Sequence, residues 1–297
     1  MNAQQSEDEK YMRRALQLAR GGREHAAPNP MVGAVVVVDG RIIGEGYHRR
    51  CGGSHAEVNA IRMAQERGAE FGDSTIYVTL EPCAHYGKTP PCAQLIIDTG
   101  IPRVVVGCRD PFAKVDGLGI KMLRDAGIDV TVGVLEDECI ALNRRFMTFH
   151  SLRRPFVTLK WAQSSDGYID RRREEGDGQK PVIFSNPRTQ QICHRRRAEH
   201  DAIVVGWRTN RLDRPSLTTR LWPGDNPLRI VMERQSPQEL LDSLFAQGVQ
   251  SVLVEGGAHT LQAFIDAGLW DEAYVETAPW CLHDGVKAPV LSHFEAI

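Results

Sequence analysis

Four side chains in this sequence have the types and spacing that hydrolytic chemistry needs. His55 and Glu57 stand two apart in "SHAEVNA", and Cys83 and Cys92 bracket "AHYGKTPP" within "TLEPCAHYGKTPPC". One imidazole and two thiolates supply three ligands of a tetrahedral zinc and leave the fourth position open, the pattern of a catalytic site. A structural zinc site would normally bring a fourth protein ligand, and free buried thiols would need no such spacing. Zinc held this way lowers the pKa of bound water to ~7. Glu57 is not needed as a ligand; a carboxylate there suits taking a proton from that water and delivering it to a leaving amine.

The surrounding pattern says how the chain presents these groups. "SEDEKYMRRALQLARGG" predicts a helix opened by a Ser6–Glu9 capping box, with Met12, Ala15, Leu16 and Ala19 on one face and Gly21-Gly22 as the stop. "MVGAVVVVDGRIIGEGY" predicts two strands around an Asp39-Gly40 hairpin turn. "SHAEVNAIRMAQERG" predicts a helix capped by Ser54 and ended by Gly68, with His55 and Glu57 in its first turn. Strands at 75–80, 103–107 and 128–134 alternate with helices at 91–99 and 117–126, so Cys83 follows a strand and Cys92 begins a helix. A helix N-terminus favours thiolate over thiol. A hairpin followed by alternating helices and strands makes an α/β sandwich with a partly parallel sheet.

The pattern breaks in the basic stretch "NRRFMTFHSLRRP". Two domains are expected, 1–146 and 147–297. The second repeats the alternation: strand 156–162, helix 187–198, strand 202–206, strand 228–232, helix 237–247, strand 251–254, helix 258–267 and strand 272–277. At 297 residues with net charge −2, 42% hydrophobic and 25% charged residues, the chain has the composition of a soluble globular protein. The charge gives no global basic field for nucleic acid. No apolar run is long enough to span a membrane, and "MNAQQSEDEKYMRR" lacks a signal-peptide core, so a cytoplasmic location is expected. Seven cysteines do not read as a disulfide framework. Cys51, Cys108, Cys139, Cys193 and Cys281 have no ligand spacing and are expected to pack.

H-x-E followed by P-C…C is the signature of zinc-dependent nucleobase deaminases. The usual cysteine spacing is two residues, and here it is eight. "EPC-x8-C" with its insert, "PNPMVGAVVV", "GEGYH" and "DPFAKVDGLGI" together resemble the deaminase half of the bifunctional riboflavin-biosynthesis deaminase/reductase family. That resemblance covers most of residues 8–150 and implies a cytidine-deaminase-like α/β/α sandwich. It places Asn29 and His48 on the pyrimidine and His85 and Lys88 on contacts from the insert. Asn29 can use both faces of its amide on a ring edge, and Lys88 can neutralise a phosphate. Read singly, Asn29 is a turn residue between prolines and Lys88 a solvated loop lysine.

The second half is similar to the reductase half of the same family, whose fold resembles dihydrofolate reductase. "SVLVEGGAHTLQAFIDAGLW" is strand, Glu-Gly-Gly, helix, which lets backbone amides approach a phosphate, although no GxGxxG fingerprint is present. The resemblance implies NADPH-dependent reduction of a ribosylamino to a ribitylamino side chain. It places Lys160, Arg197, Leu217, Arg220 and Glu255 on the substrate and Ala162, Thr209, Asp213 and Gly257 on the cofactor. Arg197 and Arg220 would hold the substrate phosphate and Asp213 a ribose hydroxyl, whereas Arg195 and Arg196 read equally as a solvated basic face. The chain departs from the family where "NPLRIVMERQ" runs directly into "SPQELLDSL": the family has a further strand and a cofactor-contacting turn there. The reductase half is thus expected to be shortened near 234–237 and at "KAPVLSHFEAI".

The implied function is a two-step conversion of a phosphorylated pyrimidine: deamination of 2,5-diamino-6-ribosylamino-4(3H)-pyrimidinone 5′-phosphate, then reduction of its ribosyl group. Homo-oligomers formed through the reductase domain are implied as well. Three other readings stay open at this point. One is a deaminase joined to a defective reductase. Another is a tRNA-type nucleic-acid deaminase, which would need a basic strip with stacking aromatics. The last is a zinc-bearing scaffold without activity.

Overall fold

The computed structural model describes residues 3–86, 90–112 and 115–291. It divides into two compact units, Met1–Leu152 and Arg153–Ile297. The division falls at the end of a helix, Arg144–Leu152, not inside it at 146.

In the first unit the elements run α1 (Ala3–Ala19), β1 (Gly33–Val38), β2 (Arg41–Tyr47), α2 (Ala56–Glu66), β3 (Thr75–Leu80), α3 (Cys92–Thr99), β4 (Arg103–Cys108), α4 (Leu118–Asp125), β5 (Asp129–Val132), α5 (Glu136–Leu142) and α6 (Arg144–Leu152). One sheet has the order β2-β1-β3-β4-β5. β1 pairs antiparallel with β2 and β3, and β3, β4 and β5 are parallel. The hairpin turns at Asp39 and Gly40, both with positive φ (48° and 71°), the type I′ geometry that Asp-Gly favours.

Strand β1 shows why this is a three-layer unit. Its alternate residues join different cores: Ala34 and Val36 pack with Ala60, Ile61, Ile96 and Leu123 of α2, α3 and α4, whereas Val35 and Val37 pack with Tyr11, Met12, Cys139 and Phe146 of α1, α5 and α6. A strand buried on both faces reads as a continuous apolar run, as "GAVVVV" does. Helix α2 lies so close to β2 that a Cβ at Gly44 would stand 2.2 Å from the Ala60 carbonyl oxygen, and one at Gly46 2.5 Å from that of Ala56. Only glycine admits that approach, and it fixes the helix that carries Glu57.

Two capping expectations fail. α1 begins at Ala3, so Ser6 lies inside the helix and forms no capping box. Gln4 and Gln5 are good helix formers, and Gln4 bonds Asp8 one turn on (3.1 Å). Asp8 is only 4% exposed and receives both prongs of Arg103 (2.9 and 2.7 Å) and the Tyr77 hydroxyl (3.1 Å), tying α1 to β3 and β4. At α2 the N-cap is His55, not Ser54. The Ser54 carbonyl accepts from the His48 ring (3.1 Å) and the Asn59 amide (3.3 Å), and the imidazole of His55 faces Cys83 and Cys92.

The second unit runs β6 (Phe156–Gln163), β7 (Tyr168–Asp170), α7 (Pro187–Ala198), β8 (Ala202–Gly206), α8 (Trp207–Asp213), β9 (Leu228–Met232), α9 (Pro237–Ala246), β10 (Ser251–Val254), α10 (Ala258–Asp266), β11 (Glu272–Thr277) and β12 (Val286–Lys287). Its main sheet, β11-β6-β10-β8-β9, is parallel throughout, and β7 pairs with β12. Val204, Val252 and Val254 face Leu241, Leu244, Leu261 and Phe264 of α9 and α10, while Ile203, Val205 and Leu253 face Leu217. The short β7, α8 and β12 have no clear signature in the sequence. Among the five cysteines expected to pack, Cys108, Cys139 and Cys193 are buried; Cys51 and Cys281 are exposed.

Candidate functional site

In the first unit, the end of β3, the start of α2 and the start of α3 converge. His55 Nδ1 lies 3.6 Å from Cys83 Sγ and 3.3 Å from Cys92 Sγ, and the Cys92 amide donates to Cys83 Sγ at 3.2 Å. The three ligand atoms all fall within 4.8 Å of one another. The hydrogen bonds of Cys92 and His55 pull the Cys83 thiol down to about 4, and the bond to Cys83 raises His55 to about 9. Cys92 moves the other way, raised by its bond to Cys83 and by burial. A nitrogen and two sulfurs at this spacing, one of the sulfurs strongly acidified, form a borderline-soft donor set that fits zinc with one position to spare.

Glu57 sits in the first turn of α2, two residues beyond His55, and is 3% exposed. Burial pushes its carboxyl above the usual range, which suits a group that must carry a proton. His48 is buried, and its Nδ1 faces the Ser54 carbonyl. That ring nitrogen therefore donates, and Nε2 accepts from the Asn29 amide at 3.1 Å. The pairing leaves the Asn29 carbonyl oxygen available. His85 is exposed and meets the edge of Phe112 (centroids 6.2 Å apart). Lys88 lies outside the described residues.

The second unit holds a cavity of about 1040 Å³ at the carboxyl ends of β6, β8, β9 and β10, where ligands bind in open α/β sheets. Lys160, Ala162, Thr209 and Asp213 line it, as do Arg197, Arg220, Glu255 and Gly257. Leu217 does not. It packs with Ile203, Val205 and Leu253, 5% exposed, with φ of 53°. Val254 registers with Leu159, so Glu255 and Lys160 follow side by side on neighbouring strands. Gly257 is the N-cap of α10 without a side-chain cap, and a Cβ there would meet Thr209 Oγ1 at 2.9 Å. A bare helix N-terminus beside a glycine pair and a wide cavity fits the phosphates of a dinucleotide.

The arginines differ from expectation. Arg197 is not a free phosphate clamp: its Nε and Nη2 fork onto Glu255 (3.1 and 2.6 Å), and its Nη1 donates to the Thr218 carbonyl (3.1 Å). Arg220 is exposed and bonds Ser216 Oγ at 3.0 Å, so of the two it is the one able to meet an anion. Asp213 accepts from Arg173 Nη2 (2.7 Å). Arg173 is buried and was missed in the sequence because it closes an otherwise exposed "RRR" run; the acidic pair Asp170 and Asp213 was the only available signal.

Both units match known proteins. The profile of the cytidine and deoxycytidylate deaminase zinc-binding region matches residues 5–108. The profile of the RibD C-terminal domain matches residues 155–237 and 232–291, two pieces that meet between β9 and α9. The riboflavin biosynthesis protein RibD of Aquifex aeolicus is 37% identical, over 94% of this chain and 89% of its own. That of Escherichia coli is 36% identical, over 92% and 88%. A solved Thermotoga maritima structure, described as a diaminohydroxyphosphoribosylaminopyrimidine deaminase/5-amino-6-(5-phosphoribosylamino)uracil reductase, superposes with a TM-score of 0.83 at 36% identity, covering 96% of this chain and 90% of that one. Acinetobacter baumannii RibD also gives 0.83, at 32% identity, covering 99% and 92%. With a His-Cys-Cys centre in one unit and a glycine-lined cavity in the other, this chain belongs to the RibD family, the bifunctional deaminase/reductases of riboflavin biosynthesis.

Proposed function

We propose that the first unit deaminates 2,5-diamino-6-ribosylamino-4(3H)-pyrimidinone 5′-phosphate and that the second reduces the ribosyl group of the product to ribityl with NADPH. The observation that carries the reading is the meeting of His55, Cys83 and Cys92 beside the buried Glu57. His55, Cys83 and Cys92 would hold zinc, which when bound acidifies water and polarises it for attack. Glu57 takes a proton from the attacking water as its oxygen adds to the amine-bearing carbon. Protonated Glu57 then returns the proton to the departing nitrogen, so that the C–N bond breaks and ammonia leaves. Asn29, locked by His48, offers its carbonyl oxygen to the pyrimidine edge. His85 and Lys88 are assigned to the ribose phosphate side of the substrate.

In the second unit the bound cofactor supplies hydride. Ala162, Thr209, Asp213 and Gly257 are assigned to hold it, the α10 N-terminus receiving phosphate. Lys160, Arg197, Leu217, Arg220 and Glu255 are assigned to the sugar and its phosphate. Arg197 acts by fixing Glu255 beside Lys160, Leu217 by supporting the wall, and Arg220 by meeting the phosphate. The exchange takes place in the cytoplasm, in homo-oligomers joined through this unit; no helix among the described residues is long and apolar enough to cross a membrane.

The test is a paired assay on the full chain given the diaminopyrimidine substrate. Ammonia release together with NADPH oxidation supports the whole reading. Ammonia without NADPH oxidation rejects the second step and assigns only the deaminase.

A further inference from the structure

Glu81 belongs to the "TLEPC" stretch yet has no part in the chemistry above. It is 3% exposed and receives four main-chain N–H groups. Oε1 accepts from Gly119 (2.9 Å) and Ile120 (3.2 Å), and Oε2 from Gly117 (3.1 Å) and Asp110 (3.4 Å). One donor is Asp110, and the other three belong to Gly117–Ile120, at the start of α4. A carboxylate has lone pairs for four donors, and its charge faces the positive end of that helix. The same segment presses on the next residue: a Cβ at Gly119 would stand 1.9 Å from the Pro82 carbonyl oxygen. Asp110 in turn accepts from the Phe112 amide at 2.8 Å, and the Phe112 ring packs against His85 (6.2 Å) and His150 (5.0 Å). Cys83 is held by other bonds, from the Cys92 amide to its sulfur and from the Ala93 amide to its carbonyl (3.2 Å each).

We propose that Glu81 is a positioning residue of the deaminase site: its carboxylate ties the Asp110 amide to those of Gly117, Gly119 and Ile120 so that Phe112, held by Asp110, backs His85, the side chain assigned to the substrate. The proposal rests on the deaminase reading. Its effect is on substrate capture, because the ligand geometry of Cys83 has independent support.

The experiment compares Glu81→Gln and Phe112→Ala with the unsubstituted full chain. Ammonia release is measured over a range of diaminopyrimidine substrate, with zinc content by mass spectrometry and melting by circular dichroism. Gln offers one acceptor oxygen and turns an amide NH2 toward two of the four donors, so the segment shifts. The expected result is a KM raised about tenfold or more with kcat within about threefold, since small displacements of positioning groups are felt strongly in catalysis. Zinc content stays unchanged. Phe112→Ala raises KM in the same way with Glu81 intact, and it decides the matter if Glu81→Gln fails to fold. An unchanged KM in a folded Phe112→Ala chain overturns the proposal, as does a Glu81→Gln chain that melts earlier but keeps its KM. Absence of ammonia from the unsubstituted chain overturns the deaminase reading and this proposal with it.

Discussion

Glu57→Gln separates proton transfer from metal binding, because the two functions sit on neighbouring but different side chains. Glu57 is fully enclosed at the start of α2, and Gln matches its shape. Positioned general acid–base groups contribute about 10²–10⁴ in rate, which at 1.36 kcal/mol per decade is ~3–5 kcal/mol of barrier. The substitution should therefore lower kcat for ammonia release by at least about a hundredfold. KM should change little, since the Asn29–His48 pair proposed to meet the pyrimidine stays in place. Zinc should stay as well, because the donor atoms of His55, Cys83 and Cys92 are untouched. Melting should hold steady or rise, because a neutral amide removes the cost of desolvating a carboxylate. The assay pairs a coupled ammonia measurement with zinc by mass spectrometry on one preparation. A variant with zinc bound and kcat within about tenfold of the parent would refute the role of Glu57 as proton carrier. Loss of zinc would refute the separation of the two functions.

Cys92→Ser should strip zinc and lower the melting temperature of the first unit, because ligation and folding are coupled; equal zinc and melting would remove Cys92 from the ligand set. Asp8→Ala should cost about 1.5–3 kcal/mol in urea unfolding by removing both charge-assisted bonds to the half-buried Arg103, which keeps Asp129 at 3.5 Å, and a loss below about 1 kcal/mol would show the pair to be solvated. Burial acts to raise the Asp8 carboxyl but the Arg103 bonds outweigh it, so the net shift is downward; this stabilisation persists above the ordinary carboxylate range and fades only as pH falls through the lowered value. Asp110 runs oppositely, raised by burial to about 6 from 3.8. Its folded form binds the proton more tightly, so stability falls as pH rises from 3.8 to 6; Asp110→Asn should gain on the order of 3 kcal/mol above pH 6 and nothing below 3.8. A gain that does not vary with pH would contradict this. Gly257→Ala should raise KM for NADPH about tenfold and leave ammonia release alone, since its Cβ would crowd Thr209 at the neck of the cofactor cradle. An unchanged KM would move the phosphate elsewhere.

The His-Cys-Cys grouping was legible because its members are side chains with fixed spacing, and the central strands β1, β3, β4, β8 and β10 because they are buried on both faces and read as apolar runs. What was not legible depends on partners distant in sequence or on main chain. Nothing local to Arg197 announces that Glu255, 58 positions away, occupies it. Glu81 binds only N–H groups, which every residue but proline possesses, so its role leaves no mark on the sequence of 110–120. Ser6 and Ser54 looked like caps by type. Tertiary contacts moved both helix starts: Asp8 drew α1 into an ion pair with the half-buried Arg103, and His55, facing Cys83 and Cys92, became the first residue outside α2.

The place where the reductase profile breaks, between β9 and α9, is at the rim of the second sheet. Among the described residues β9 has a neighbour only in β8, and its Leu228 and Arg229 are exposed. Material added or removed there changes how wide the sheet is and leaves the ladders among β6, β10 and β8 uncut. The same removal at β10 would have split the sheet in two. Length variation in this fold is thus cheap on one flank and prohibitive in the middle, which makes the β9–α9 connection a natural point for grafting a strand back without recasting the core.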